Sequence, residues 1–190
     1  MKTKDLAKIK KELAFISGLP LRNIVRIGDM LGLGMGNLIE RESAYHKFKY
    51  GESKIVSTGE YALHISCFYR LRCGNDIILG KEDRYQPSHY LSNNPDFDWE
   101  LFNDEQNVQY FDKQGNNRMD ELISMKFNEL DGFIIDKVAV NKFGDISIYF
   151  TNGFVIEAYA DASDDSECWR FFKANSDDEH LVVSSQGLGD

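Results

Sequence analysis

The sequence predicts an α+β fold in which antiparallel strands dominate and an amino-terminal helix packs against them. Three observations carry this. Leu6, Ile9, Leu13 and Ile16 recur at helical spacing, residues 59–72 alternate apolar with polar, and short apolar runs separated by turn signals fill the last third. The chain has 190 residues, 42% hydrophobic with 13 Phe and 9 Tyr, enough apolar mass for a sizeable core. A single domain over 1–190 is expected, with two β sub-units at about 20–90 and 130–190 joined by an irregular insertion at 86–116.

The first helix is expected over 3–17, capped by Thr3 and stopped by Gly18 and Pro20. Strand signals follow over 23–39, where Met30-Leu-Gly-Leu-Gly-Met-Gly alternates glycine with apolar residues and leaves one face bare for close approach. The glycines do not make a nucleotide loop: the dinucleotide pattern needs glycine at 37 and finds Asn37, and no phosphate-loop lysine follows. Residues 59–72 are expected to be one long strand. Tyr61, Leu63, Ile65, Cys67, Tyr69 and Leu71 form its apolar face, and Gly74-Asn75 turns it into a strand over 76–80. The stretch 85–115, with Pro87, Pro95 and one short helical signal over 98–109, is the irregular region, where a binding surface could sit. A helix capped by Asn117 is expected over 117–128, then strands over 133–140, 146–150, 154–159, 168–172 and 180–184. Asn152-Gly153 calls for a tight turn with positive φ at both residues. A short echo links Cys67-Phe-Tyr-Arg-Leu with its following aliphatic run to Cys168-Trp-Arg-Phe-Phe with its own.

Net charge is −9, with nine acidic side chains from Glu157 onward against Arg170 and Lys173. Such a surface repels phosphate backbones, arguing against nucleic acid, and attracts a basic protein partner. No apolar stretch is long enough for a membrane span and no secretory signal is evident, so a cytoplasmic protein is expected, its three cysteines reduced thiols. No metal or cofactor is expected. His64 and Cys67 point to opposite faces of a strand and cannot converge, and Cys67 fits a small core residue. A Cys168–His180 nucleophile pair is conceivable, yet its acidic neighbours raise a thiol's pKa, so no catalytic residue is assigned. Asp164, Asp165 and Glu167 form one acidic cluster with Asp161, and Asp177, Asp178 and Glu179 form a second. Their spacing does not match a calcium loop; they are solvated loops that could meet a basic partner. His64, Ser66 and Arg70, on the polar face of the 59–72 strand with Phe68 between them, make either an anion site or a satisfied buried network, and Phe68 favours the second.

The segment Gly59-Glu-Tyr-Ala-Leu-His-Ile-Ser-Cys, with the aromatic–arginine pair after it and then Ile78-Leu-Gly-Lys-Glu-Asp-Arg-Tyr, resembles a family of small uncharacterised bacterial proteins. Ile27-Gly-Asp-Met-Leu upstream, and Ser166-Glu-Cys-Trp-Arg-Phe-Phe and His180-Leu-Val-Val downstream, are similar to the same family, with Tyr69 standing where it usually has tryptophan. The likeness covers about two thirds of the chain and implies fold and bacterial origin, not mechanism. By size and acidity the chain is similar to toxin-neutralising immunity proteins. The function expected is a non-catalytic acidic module binding a basic protein. The alternatives are a small-molecule or anion binder, or an enzyme, using His64, Arg70 and the 85–115 loop, and a self-associating structural protein.

Overall fold

Two antiparallel sheets, linked where the chain passes twice from one to the other, are described by a computed structural model for residues 1–43, 46–47, 51–103 and 112–189. The α+β expectation holds. Helix α1 (Thr3–Leu13) continues into a 3-10 turn at Ala14–Ile16 and buries Ile9, Leu13 and Ile16, as their spacing dictates. Thr3 is not the cap: it is already helical, and Lys2 precedes it without lending a side chain. Strands β1 (Leu21–Ile27) and β2 (Met30–Glu42) form a hairpin turned by Gly28 at φ +62°, and β3 (Ile55–Ile65) pairs with β2. The bare glycine face of β2 is filled from β1: a Cβ on Gly34 would meet Asn23 Oδ1 at 2.0 Å, and one on Gly32 would meet Ile27 at 2.9 Å and Val25 at 3.1 Å. The close approach anticipated there is therefore internal.

Residues 59–72 are not one strand of one sheet. The chain bends at Ser66 and Cys67, so β3 ends in the first sheet and β4 (Phe68–Cys73) begins in the second. Strand β5 (Asp76–Gly80) follows across the expected Gly74 turn. Further along come β6 (Ile135–Val140), β7 (Ile146–Phe150) and β8 (Phe154–Tyr159), all in the second sheet. The chain then bends back into β9 (Trp169–Lys173), β10 (Leu181–Ser184) and β11 (Gly187–Leu188) of the first. The Asn152-Gly153 turn has positive φ at Gly153 only, and Gly153 N bonds Phe150 O at 3.0 Å. It is thus a longer turn with a single left-handed glycine rather than the tight two-residue form.

The first sheet has the order β1-β2-β3-β9-β10-β11 and the second β5-β4-β8-β7-β6. Strands β3 and β9 are antiparallel neighbours in one, β4 and β8 in the other, so the chain crosses the corner twice at one place, directly at Ser66–Cys67 and again through the loop 160–168. The segments that echo one another in sequence, β4–β5 and β9–β10, are equivalent hairpins, one in each sheet. Between the sheets lies one apolar cluster, including Leu31, Leu33, Leu63, Ile65 and Phe171 from the first and Tyr69, Leu71, Leu79, Ile148 and Ile156 from the second. Trp169 joins the layers, donating from Nε1 to Gly144 O at 2.7 Å. Helix α1 was expected to cover a sheet face; instead it packs against β6 and β11, edge strands of the two sheets, and closes one side of the sandwich. Among the described residues no helix is long and apolar enough to cross a membrane.

The opposite side is closed by α4 (Arg118–Lys126), against β1 and β5, with Asn117 capping it as expected through Asp120 N at 2.9 Å. The insertion before it carries short helices α2 (His89–Ser92) and α3 (Trp99–Asn103); the rest of the expected 98–109 helical segment falls outside the described residues. Its neck is stitched by the Pro87–Asn117 bridge, by Ser88 N to Asn116 O and by Arg118 N to Gln86 O. Below the neck, Arg26 and Asp120 are buried with 3% and 2% of their side chains exposed. Arg26 gives Nε to Asp120 Oδ1 at 2.8 Å and Nη2 to Oδ2 at 3.0 Å, while Nη1 reaches Asp112 at 2.6 Å. Gly115 N and Asn117 Nδ2 complete the Asp120 carboxylate. Burial opposes the Arg26 charge, but the hydrogen bonds and charge of Asp120, then of Asp112, hold its pKa above the ordinary value.

Removing one member of such a pair strands the other. Asp120→Ala is expected to cost about 3 kcal/mol in urea unfolding, at the low end for a buried pair because Asp112 remains. Arg26→Met with Asp120→Leu is expected to cost less than that single change.

Candidate functional site

The bend at Ser66–Cys67 decides where the predicted site residues go. His64 stands on the outer face of the first sheet, Arg70 on the outer face of the second, and Ser66 in the crossover between them. The three do not share a face, and neither the anion site nor the buried network that they were expected to form exists as drawn. Phe68 is not covered either; it is 38% exposed and tilted against Tyr159 at 6.3 Å. Strict alternation persists through the bend because the inner residues face the same core from both sheets, while the outer ones part company.

At the corner Ser66 N and Cys67 N both donate to Cys168 O, at 2.8 and 3.1 Å, and the sulfurs of Cys67 and Cys168 are bonded across 101 residues. This corrects the expectation of three reduced thiols; Cys73 alone is free. It also removes Cys168 as a nucleophile. The cause is the strand pairing, which brings the two crossovers to a Cα separation of 4.6 Å. Cys67 is nonetheless buried in the core cluster, as anticipated. Beside the bond lies a depression of ≈ 60 Å³ whose lining includes Asp161, Glu167, Ser66 and Ser185. Lys81 Nζ donates to Ser66 O, and Phe68 N donates to Asp161 Oδ2 at 2.9 Å.

Arg70 has found a partner that the sequence gave no reason to choose. Glu157, opposite it on β8, accepts from Arg70 Nε at 2.7 Å and from Arg72 Nε at 3.2 Å, while Arg70 Nη2 donates to Tyr159 Oη at 2.9 Å. Burial alone would raise the Glu157 carboxyl, but the hydrogen bonds from Arg70, Arg72 and Tyr159 bring it below the ordinary carboxylate range. These arginines are thereby largely committed to their own carboxylate.

On the first sheet His64 stands opposite Arg170, and its ring meets Phe172 edge-on at 5.0 Å. His180 does not approach a thiol; it stacks on Phe172 with centroids 4.3 Å apart. Arg170 holds Glu167 through Nε and Nη2. The two acidic clusters sit at opposite ends of β9, so they are separated by its five residues, roughly 15 Å. Glu167 is paired, whereas Asp164, Asp165, Asp177, Asp178 and Glu179 are exposed and in no ion pair among the described residues. Ser166 holds the Asp164 carboxyl below its ordinary value by hydrogen bonding. Among the described residues no three histidine, cysteine or acidic side chains converge as a metal would need. The chain matches no protein-family model, no curated protein and no solved structure.

Two measurements check this geometry. Alkylation of the unfolded, unreduced protein is expected to label Cys73 only, and Cys67→Ala with Cys168→Ala to lower stability by about 2–5 kcal/mol in thermal melts. Because the folded Glu157 carboxyl titrates below its unfolded value, its contribution is present above about pH 4.5 and is lost as pH falls through the depressed value. Glu157→Gln is therefore expected to be less stable than the parent at pH 7, with the gap closing in acid.

Proposed function

We propose that the chain is a non-catalytic protein-binding module whose partner is basic and docks across β9 on the outer face of the first sheet. The observation that carries this is the pair of loops at the two ends of β9, where Asp164, Asp165, Asp177, Asp178 and Glu179 are exposed and in no ion pair among the described residues. Surface carboxylates left unpaired at two places either side of one strand suit a partner with two basic patches, because complementary potentials steer the encounter. Half-buried Phe172, stacked with His180 between the loops, supplies an aromatic centre inside a charged rim, the usual anatomy of an interface. A toxin of basic surface is one partner of this chemistry, a reading supported by analogy with acidic immunity proteins alone.

The test is affinity capture from lysate at low and high salt, followed by kinetics with the captured partner. Replacing Asp177, Asp178 and Glu179 by lysine is expected to slow association about tenfold or more while changing dissociation less. A partner held equally at both salts, and equally by the charge-reversed variant, would sink the proposal.

A further inference from the structure

Helices α1 and α4 close the sides of the sandwich and leave the outer face of the second sheet open. One row of cross-strand neighbours there spans all five strands: Ile77 on β5, Arg72 on β4, Val155 on β8, Tyr149 on β7 and Lys137 on β6. The next row sets Arg70 beside Glu157, and a third sets Phe68 beside Tyr159. The cations lie over rings: Lys137 Nζ is 4.5 Å from the Tyr149 centroid, and the Arg70 guanidinium 5.3 Å from that of Tyr159. Val155, 5% exposed, floors the first row, while Ile77 at its end is 62% exposed. Three cations thus stand on these ladder positions against Glu157. Arg70 and Arg72 both bond that carboxylate, but Arg70 Nη1 and Arg72 Nη2 are left over. Lys137 is exposed and in no ion pair among the described residues. A chain of net charge −9 therefore turns one positive, aromatic-rich face outward. Arginine and tyrosine around a partly apolar centre are the residue types that carry protein interfaces. Single-stranded nucleic acid suits the face less, because cations already lie over the tyrosine rings on which bases would stack.

We propose that this face docks the two acidic loops of a second copy of the chain, so that copies join head to tail. The charges correspond, and so does their spacing. Arg72 and Lys137 are three strand spacings apart, about 14 Å. The acidic clusters at the two ends of β9 are separated by roughly 15 Å. This docking rests on the reading of the β9 loops as an interaction surface, and gives those loops a basic surface to meet. The −9 of each chain opposes contact, but in about 0.1 M salt the screening length is about 10 Å. Charges that meet across the interface then act on one another, while those on the far sides do not. Because the two faces differ, no two-fold axis closes the contact, and chains add one after another.

The test is sedimentation velocity with light scattering on the full chain, over a concentration series reaching about 1 mM, where weak contacts populate. In about 0.1 M salt the mean mass is expected to rise past twice the 21.8 kDa monomer, and in about 1 M salt to return to it. Ile77→Glu with Lys137→Glu reverses the two ends of the row, and Asp165→Lys with Asp178→Lys reverses one charge in each acidic cluster. All four positions are exposed. Each double variant alone is expected to associate about tenfold more weakly than the parent. An equal mixture of the two is expected to regain association, which a merely structural effect of the substitutions could not produce. A chain that stays monomeric in about 0.1 M salt would overturn the inference; a basic protein still captured from lysate would then leave the reading of the loops standing without it. Association that stops at the dimer, survives the loop variant or is not regained on mixing would overturn it too.

Discussion

Everything in this molecule hangs on the corner at which the chain passes twice from one sheet to the other. The carbonyl of Cys168 receives two amides, Ser66 N and Cys67 N, and the adjoining sulfurs are bonded. Because β3 lies beside β9 and β4 beside β8, that single junction fixes the angle between the sheets and so the shape of the shared core. It also partitions the polar residues: whatever stands before the bend faces out on one side of the protein, and whatever stands after it on the other.

The open sides of the sandwich are treated differently. Helix α1 fills one with apolar side chains; α4 fills the other with Met119, Leu122 and Phe127 and adds a polar assembly around Arg26 and Asp120. A buried ion pair contributes little net stability against a well-packed apolar alternative, so its value here lies in placement. Only one position of the insertion's neck lets Asp120 satisfy Arg26, Gly115 and Asn117 together. The insertion is registered on the scaffold by hydrogen-bond geometry while its outer part carries exposed Tyr90 and Trp99.

Local structure was largely legible in the sequence, because periodicity and turn chemistry act over a few residues. The α1 stripe, the Asn117 cap, the Gly74 turn and the strands of the last third all follow from such short-range rules. What the sequence hid is long-range. Nothing in the alternation of 59–72 marks a change of sheet, since its inner face stays apolar throughout, and so His64 and Arg70 were placed together when they stand apart. The pairing of Glu157 with Arg70 and of Arg26 with Asp120 likewise depends on strand order. One long-range signal is present in the sequence: the echo aligns Cys67 with Cys168, the two residues that meet at the corner. The candidate site was legible in its residue types, His64 and the acidic loops, but not in Arg170 and Phe172, which strand pairing sets beside them.

The same junction has a kinetic side. Strands β3 and β4 are made early in synthesis, yet their partners β9 and β8 are encoded about a hundred residues later. Until those arrive, the nascent chain presents unpaired strand edges and one half of a core, the kind of species on which chaperones act. Contacts of such high sequence separation belong to topologies that fold slowly, over milliseconds to seconds. For this protein the vulnerable interval is therefore the one between translation of the first corner strand and arrival of the second, when the free edge of β3 and the apolar face of the first three strands still meet solvent.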